Sequence, residues 1–117
     1  MALDLVLRDT GVQRGLPTTV AGRLLSERSR SLIEAGERLG AGNIRVFGSV
    51  ARGADGPQSD IDLLVDLSPS ASLIDLGKLA EAFSGVLGRK VDVVPASALK
   101  TSMRDQVLAE AIPLGPA

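Results

Sequence analysis

A chain of 117 residues, 44% apolar and with a formal net charge of −1, is sized for one domain around a modest core, and it has no apolar run of membrane-spanning length. The balanced charge and lack of a basic block argue against stable nucleic-acid binding through phosphate neutralisation, and the absence of Tyr and Trp removes stacking platforms for single strands. With no His and no Cys, any metal ligand or acid–base group must be Asp, Glu or Lys; the cysteine-free composition and a start without a basic n-region fit the cytoplasm.

Residues 1–17 are read as an N-terminal arm. Leu3, Leu5, Val6 and Leu7 favour a short helix or strand, which Gly11 and Gly15-Leu16-Pro17 interrupt; packing on the body or on a partner is preferred to disorder. Thr18 or Thr19 caps the helix that follows. Leu25, Leu32, Ile33, Gly36 and Leu39 recur at helical spacing, the charged residues between them form a solvated face, and Gly40 or Gly42 ends the helix. Ile44 to Phe47 is the first strand. Gly48-Ser49 then turns the chain into a short helix through Arg52, and residues 54–58, with Gly56-Pro57, form a loop.

Asp60 to Leu67 is the second strand, stopped by Ser68-Pro69-Ser70. Ser72 and Asp75 make a capping box, with Asp in the place of Glu, for a helix whose apolar stripe is Leu73, Leu76, Leu79, Ala80, Phe83 and Leu87 and which Gly88 closes. Lys90 to Val94 is the third strand. Ser97 or Ala98 opens a last helix with Leu99, Met103, Val107 and Ala111 on one side, and residues 113–117 are expected to fray. The order helix, strand, short helix, strand, helix, strand, helix suits a two-layer α/β (α+β) domain with helices mainly on one face of a small sheet.

Chemistry concentrates in two stretches, Gly48-Ser49-Val50-Ala51-Arg52-Gly53 and Ser59-Asp60-Ile61-Asp62-Leu63-Leu64-Val65. Residues two apart in a strand share a face, so Asp60 and Asp62 aim at one spot while Ile61 and Leu63 face away. Two adjacent carboxylates call for a cation between them, and Mg²⁺ is commonly held by one or two carboxylates plus substrate phosphates. An Asp-rich strand start with Asp60 as a turn acceptor explains one of the two acids but not the pair. Gly48 gives a backbone clearance for phosphate, the following helix start favours anions, and Ser49 adds a hydroxyl. Arg52 lies one turn on, where it can reach phosphates or pair with Asp55. Asp92, inside the apolar run Val91-Asp92-Val93-Val94, completes an acidic cluster if its strand lies beside the second; otherwise it points to water or pairs with Lys90 or Arg89. Asp66 keeps the parity of Asp62 but is expected to be exposed at the strand end.

The Gly-Ser turn, the gap and the Asp60-x-Asp62 pair resemble the signature of the DNA polymerase beta-type nucleotidyltransferase superfamily, and the fuller pattern resembles its minimal branch, the MNT proteins. The resemblance runs from about Arg23 to Leu114. It implies the nucleotidyltransferase fold with a mixed sheet over a domain at 18–114, a third acid on a later strand, and thus Asp60, Asp62 and Asp92 as catalytic residues and ligands of Mg²⁺ in a two-ion site, with Gly48, Ser49 and Arg52 binding the nucleotide. MNT proteins are often paired with a HEPN-domain toxin, so the resemblance also implies an antitoxin that transfers AMP from ATP to a tyrosine of that partner. Because this chain has no tyrosine, such an acceptor belongs to another protein. The alternatives are a non-catalytic antitoxin that binds and occludes its partner and, ranked last because the chain lacks additional substrate-binding structure, an enzyme acting on a small molecule.

Overall fold

A computed structural model describes residues 15–115 of the chain. Thr19 caps the first helix, α1 (Val20–Arg38), by accepting the Gly22 N–H at 3.2 Å. The chain continues through strand β1 (Ala41–Phe47), the single turn α2 (Gly48–Ala51) and strand β2 (Ile61–Leu67). Helix α3 (Leu73–Leu87) carries the expected capping box of Ser72 and Asp75, and Gly88 ends it in the left-handed conformation at φ 64°. Strand β3 (Val91–Pro95), a 3₁₀ turn (Ala96–Ala98), helix α4 (Thr101–Glu110) and the short strand β4 (Ile112–Pro113) complete the domain.

The strands form one mixed sheet in the order β3-β2-β1-β4. β1 is antiparallel to both β2 and β4, and β2 is parallel to β3. α1 and α3 pack on each other and on the sheet. Their Leu25, Leu32, Leu79 and Phe83 are fully buried against Val46, Ile61, Leu63 and Val65 of the strands. Alternation therefore sends the odd-numbered residues of β2 into this core and Asp62, Leu64 and Asp66 to the opposite face. On that face Leu64 is also fully buried; there the 3₁₀ turn touches β2, and α4 packs against α2. The expected two-layer arrangement with a mixed sheet is thus observed.

Four local expectations are corrected. β1 starts at Ala41 rather than Ile44: Gly42, which was expected as a possible helix end, and Asn43 sit in an irregularity of the β1–β2 register where Asn43 takes φ 50°. Asn43 Nδ2 and Arg45 Nη2 both donate to the Asp66 carboxylate, at 2.9 and 2.7 Å, so Asp66 is exposed as expected but ties the two strands together. Leu73 does not join the α3 stripe. As the first helical residue it is 85% exposed, and Leu76, Leu79, Phe83 and Leu87 face inward instead. α4 starts at Thr101, after an uncapped Lys100, and of its expected stripe only Val107 is buried. Of the tail expected to fray, residues 113–114 are ordered: β4 pairs with Arg45 and Val46, the Leu114 N–H donates to the Ile44 carbonyl at 3.0 Å, and Leu114 is buried; residues 116–117 lie outside the described residues. The proposed arm over 1–17 lies outside the described residues except for 15–17.

This packing predicts a sharp contrast between two large apolar residues on α3. Phe83→Ala, at the centre of the core, should cost about 3–5 kcal/mol in denaturant unfolding. Leu73→Ala should change stability by less than about 0.5 kcal/mol.

Candidate active site

The site is assembled where β1 hands over to α2 and where β2 and β3 begin. β2 and β3 run parallel with Asp62 directly opposite Asp92, flanked by the pairs Ile61–Val91 and Leu63–Val93. Neighbouring strands lie about 4.8 Å apart, and residues in register share a face, so the two carboxylates stand side by side. Ile61 and Val91 are buried beneath them, which fixes the register. Asp92 itself is exposed. The neighbour relation that Asp92 needed to join the acidic cluster is therefore present, and neither Lys90 nor Arg89 takes its charge. Lys90 Nζ instead lies 3.5 Å from Asp60 Oδ2, and the Arg89 guanidinium donates to the Ser59 carbonyl.

Asp60 falls just before β2. The Ile61 N–H donates to the Lys90 carbonyl at 3.1 Å, which latches the start of β2 to that of β3. Asp60 is near enough for its charge to act on Asp62. Among the described residues, however, no three carboxylates are so placed that they could hold a metal ion as they stand. The compact pair is Asp62 and Asp92, with Asp60 two residues away on an exposed partner.

Gly48 closes the site from β1. Its φ of 73° favours glycine, and a side-chain carbon at this position would lie 2.3 Å from Asp62 Oδ2. The clearance expected here for a phosphate is taken up by the Asp62 carboxylate. The Gly48 N–H donates to Glu110 Oε1 at 3.0 Å, and the same carboxylate receives Arg52 Nη1 at 3.3 Å. Arg52 therefore pairs with Glu110 and not with Asp55. Ser49 follows as the second residue of α2, half-buried beside the turn. Glu110 is the contact that sequence reasoning missed. One signal was available: an acidic residue in the last turn of a helix opposes the helix dipole and needs another reason to be there.

Electrostatics match this geometry. The Asp62 carboxyl is held above its ordinary value of 3.8, first by burial and then by the like charges of Asp92 and Asp60, with Glu110 adding to the effect and Arg52 opposing it. The arrangement is a shelf of hard oxygen donors short of positive charge, which suits a divalent cation.

Comparison with known proteins points the same way. The family described as nucleotidyltransferase domain matches residues 29–114. The chain is 40% identical over 79 residues to the protein adenylyltransferase MntA of Thermococcus cleftensis, an alignment covering 68% of this chain and 80% of the relative. A solved structure assigned as a minimal nucleotidyltransferase is 43% identical and superposes with a TM-score of 0.69 over 77% of this chain and 94% of that one. An MNT antitoxin in complex with a tri-AMPylated HEPN toxin of Shewanella oneidensis shares the fold, with a TM-score of 0.59 over 81% of this chain and 72% of that chain at 22% identity.

The raised Asp62 pKa sets a pH-dependent prediction. A carboxyl that binds its proton more tightly in the folded than in the unfolded state weakens the fold once it ionises. That cost is fully present above the folded-state pKa and vanishes below the unfolded value. With a chelator present, Asp62→Asn should melt above the wild type at about pH 7.5. The gap should close as the pH falls below about 4.

Proposed function

The chain belongs to the nucleotidyltransferase domain family, and from that premise we propose that it is an MNT-type antitoxin that transfers AMP from ATP to a tyrosine of a HEPN-domain toxin. The observation that carries the reading is the meeting of Asp62 with Asp92 across parallel strands, beside the glycine that ends β1. The similarity to a protein adenylyltransferase supports the reaction class, and the AMPylated toxin bound to an MNT antitoxin of the same fold supports the partner.

Asp60, Asp62 and Asp92 are the residues that would hold Mg²⁺ in a two-ion site, and the bound metal would supply positive charge to the triphosphate and to the acceptor oxygen. The fit rests on the Asp62–Asp92 pair, whose charge Arg52 offsets only in part. Asp60 would join by leaving Lys90, an exposed ion pair worth about 0–1 kcal/mol. The Ser49 hydroxyl and Arg52 bind the triphosphate and hold its α-phosphorus in line with the acceptor. The tyrosine oxygen attacks that phosphorus while the bond to the bridging oxygen of the β-phosphate breaks. The tyrosine proton passes to the exposed Asp92 carboxylate, and pyrophosphate leaves. The acceptor comes from another chain because this one has no tyrosine, and the exposure of Asp92 leaves a protein acceptor room to approach.

Incubation with labelled ATP, Mg²⁺ and the partner toxin, read by intact mass, tests the reading. The partner should gain AMP, and Asp60→Asn or Asp62→Asn should reduce transfer about a hundredfold or more, the scale of losing one transition-state charge contact. Transfer at the wild-type rate by either variant would refute the catalytic assignment. Neutralisation of the toxin by a variant that no longer modifies it would point instead to occlusion. Chelation of the metal should stop transfer while leaving the circular dichroism spectrum unchanged.

A further inference from the structure

Glu110 stands outside the sequence motif but inside the site. It is the last residue of α4, and two residues later β4 pairs with Arg45 and Val46 of β1. Its backbone is thereby anchored to the strand that leads into the Gly48 turn. Its side chain is 18% exposed, and its carboxylate accepts the Gly48 N–H at 3.0 Å and the Arg52 guanidinium at 3.3 Å. These two donors lie at either end of α2, so a single carboxylate from the far end of the sequence spans the turn.

We propose that Glu110 is a positioning residue for the nucleotide. It holds the Gly48-Ser49 turn in its φ-positive shape and fixes the Arg52 guanidinium next to the acidic pair, so that Ser49 and Arg52 meet the triphosphate already oriented. The inference rests on the nucleotidyl-transfer reading. It also reassigns Gly48: its N–H serves the turn, and the phosphate contacts fall to Ser49 and Arg52.

The contact geometry explains why a carboxylate is used here. A neutral amide can accept the Gly48 N–H through its carbonyl oxygen, but it loses the charge that holds Arg52. Alanine loses both, leaving a half-buried N–H without its acceptor and a guanidinium free to swing into solvent. A residue of purely structural importance would disturb every property of the domain together. A residue that aims Ser49 and Arg52 should disturb the handling of ATP in particular.

The experiment measures AMP transfer to the partner toxin with each substrate varied in turn, for the wild type, Glu110→Gln, Glu110→Ala, Arg52→Ala and the double variant Glu110→Ala/Arg52→Ala. Melting temperature is recorded alongside. The KM for ATP should rise about tenfold or more in Glu110→Ala and several-fold in Glu110→Gln, while the KM for the acceptor protein stays at the wild-type value. The double variant should lose less than the product of the two single losses, because part of the effect of Glu110 runs through Arg52. An unchanged KM for ATP in Glu110→Gln, or equal losses for both substrates, would overturn the proposal. If Glu110→Ala fails to fold, the charge-removing Gln variant and the comparison with Arg52→Ala still decide it. A wild type that transfers no AMP would instead refute the parent reading, so the two failures are distinguishable.

Discussion

The site depends on a repulsion that the fold relieves only in part, through Arg52. Asp62 and Asp92 lie in register on two parallel strands, with no salt bridge to either among the described residues, and Lys90 is turned to Asp60 instead. Left to relax, two such strands would slip, since a shift of one residue would part the carboxylates. It would also turn Ile61, Leu63 and Val65 out of the core under α1 and α3. Burying each such side chain is worth about 1.5–3 kcal/mol, several times what an exposed charge pair gains or loses. The core thus fixes the register, and the register forces the acids together.

That reasoning extends to the turn. Gly48 must lack a side chain because the Asp62 carboxylate fills the space where one would begin, and it must take a positive φ for β1 to turn directly into α2. The acids and the glycine are therefore one constraint seen from two strands. Glu110 adds a fourth negative charge to a neighbourhood already rich in them and is offset by Arg52. Its placement adds to the crowding of negative charge around Asp62 while fixing the shape of the turn. Proteins commonly sacrifice stability at sites that a ligand is meant to neutralise.

How much of this was legible follows from which signals are local. The α3 capping box, the alternation in β2 and the glycine cap at Gly88 are written within a few residues, and the structure reproduces them. The pairing of Asp62 with Asp92 was legible only conditionally, because thirty residues separate the two and nothing in either strand dictates that they be neighbours. The start of β1, the side of Leu73 and the role of Glu110 were misread or missed for one shared reason: they are set by tertiary contacts. Asn43 reads as a turn former, yet its amide reaches Asp66 on the next strand and β1 continues through it. Leu73 fits a helical stripe by spacing, but the stripe starts one turn later, where α1 is available to cover it. β4 is two residues long and includes a proline, which no periodicity can reveal; it forms because β1 offers an open edge.

The same tertiary logic bears on the proposed transfer to a protein acceptor. Its acids sit at the start of strands that are buried on one side, so their backbone is rigid although the carboxylates of Asp60 and Asp92 are open to solvent. Rigidity beneath and exposure above suit a site whose second substrate is a protein. On that proposal, what the residues around the turn supply is the orientation of ATP. The chain has few residues with which to do so. Around the turn, Arg52 and Glu110 join α2 to the end of α4 by charge, and Glu110 also accepts the N–H of Gly48, where a side chain would meet the Asp62 carboxylate. In a minimal site, the contact that shapes the turn and the contact that aims its cation are made by the same carboxylate.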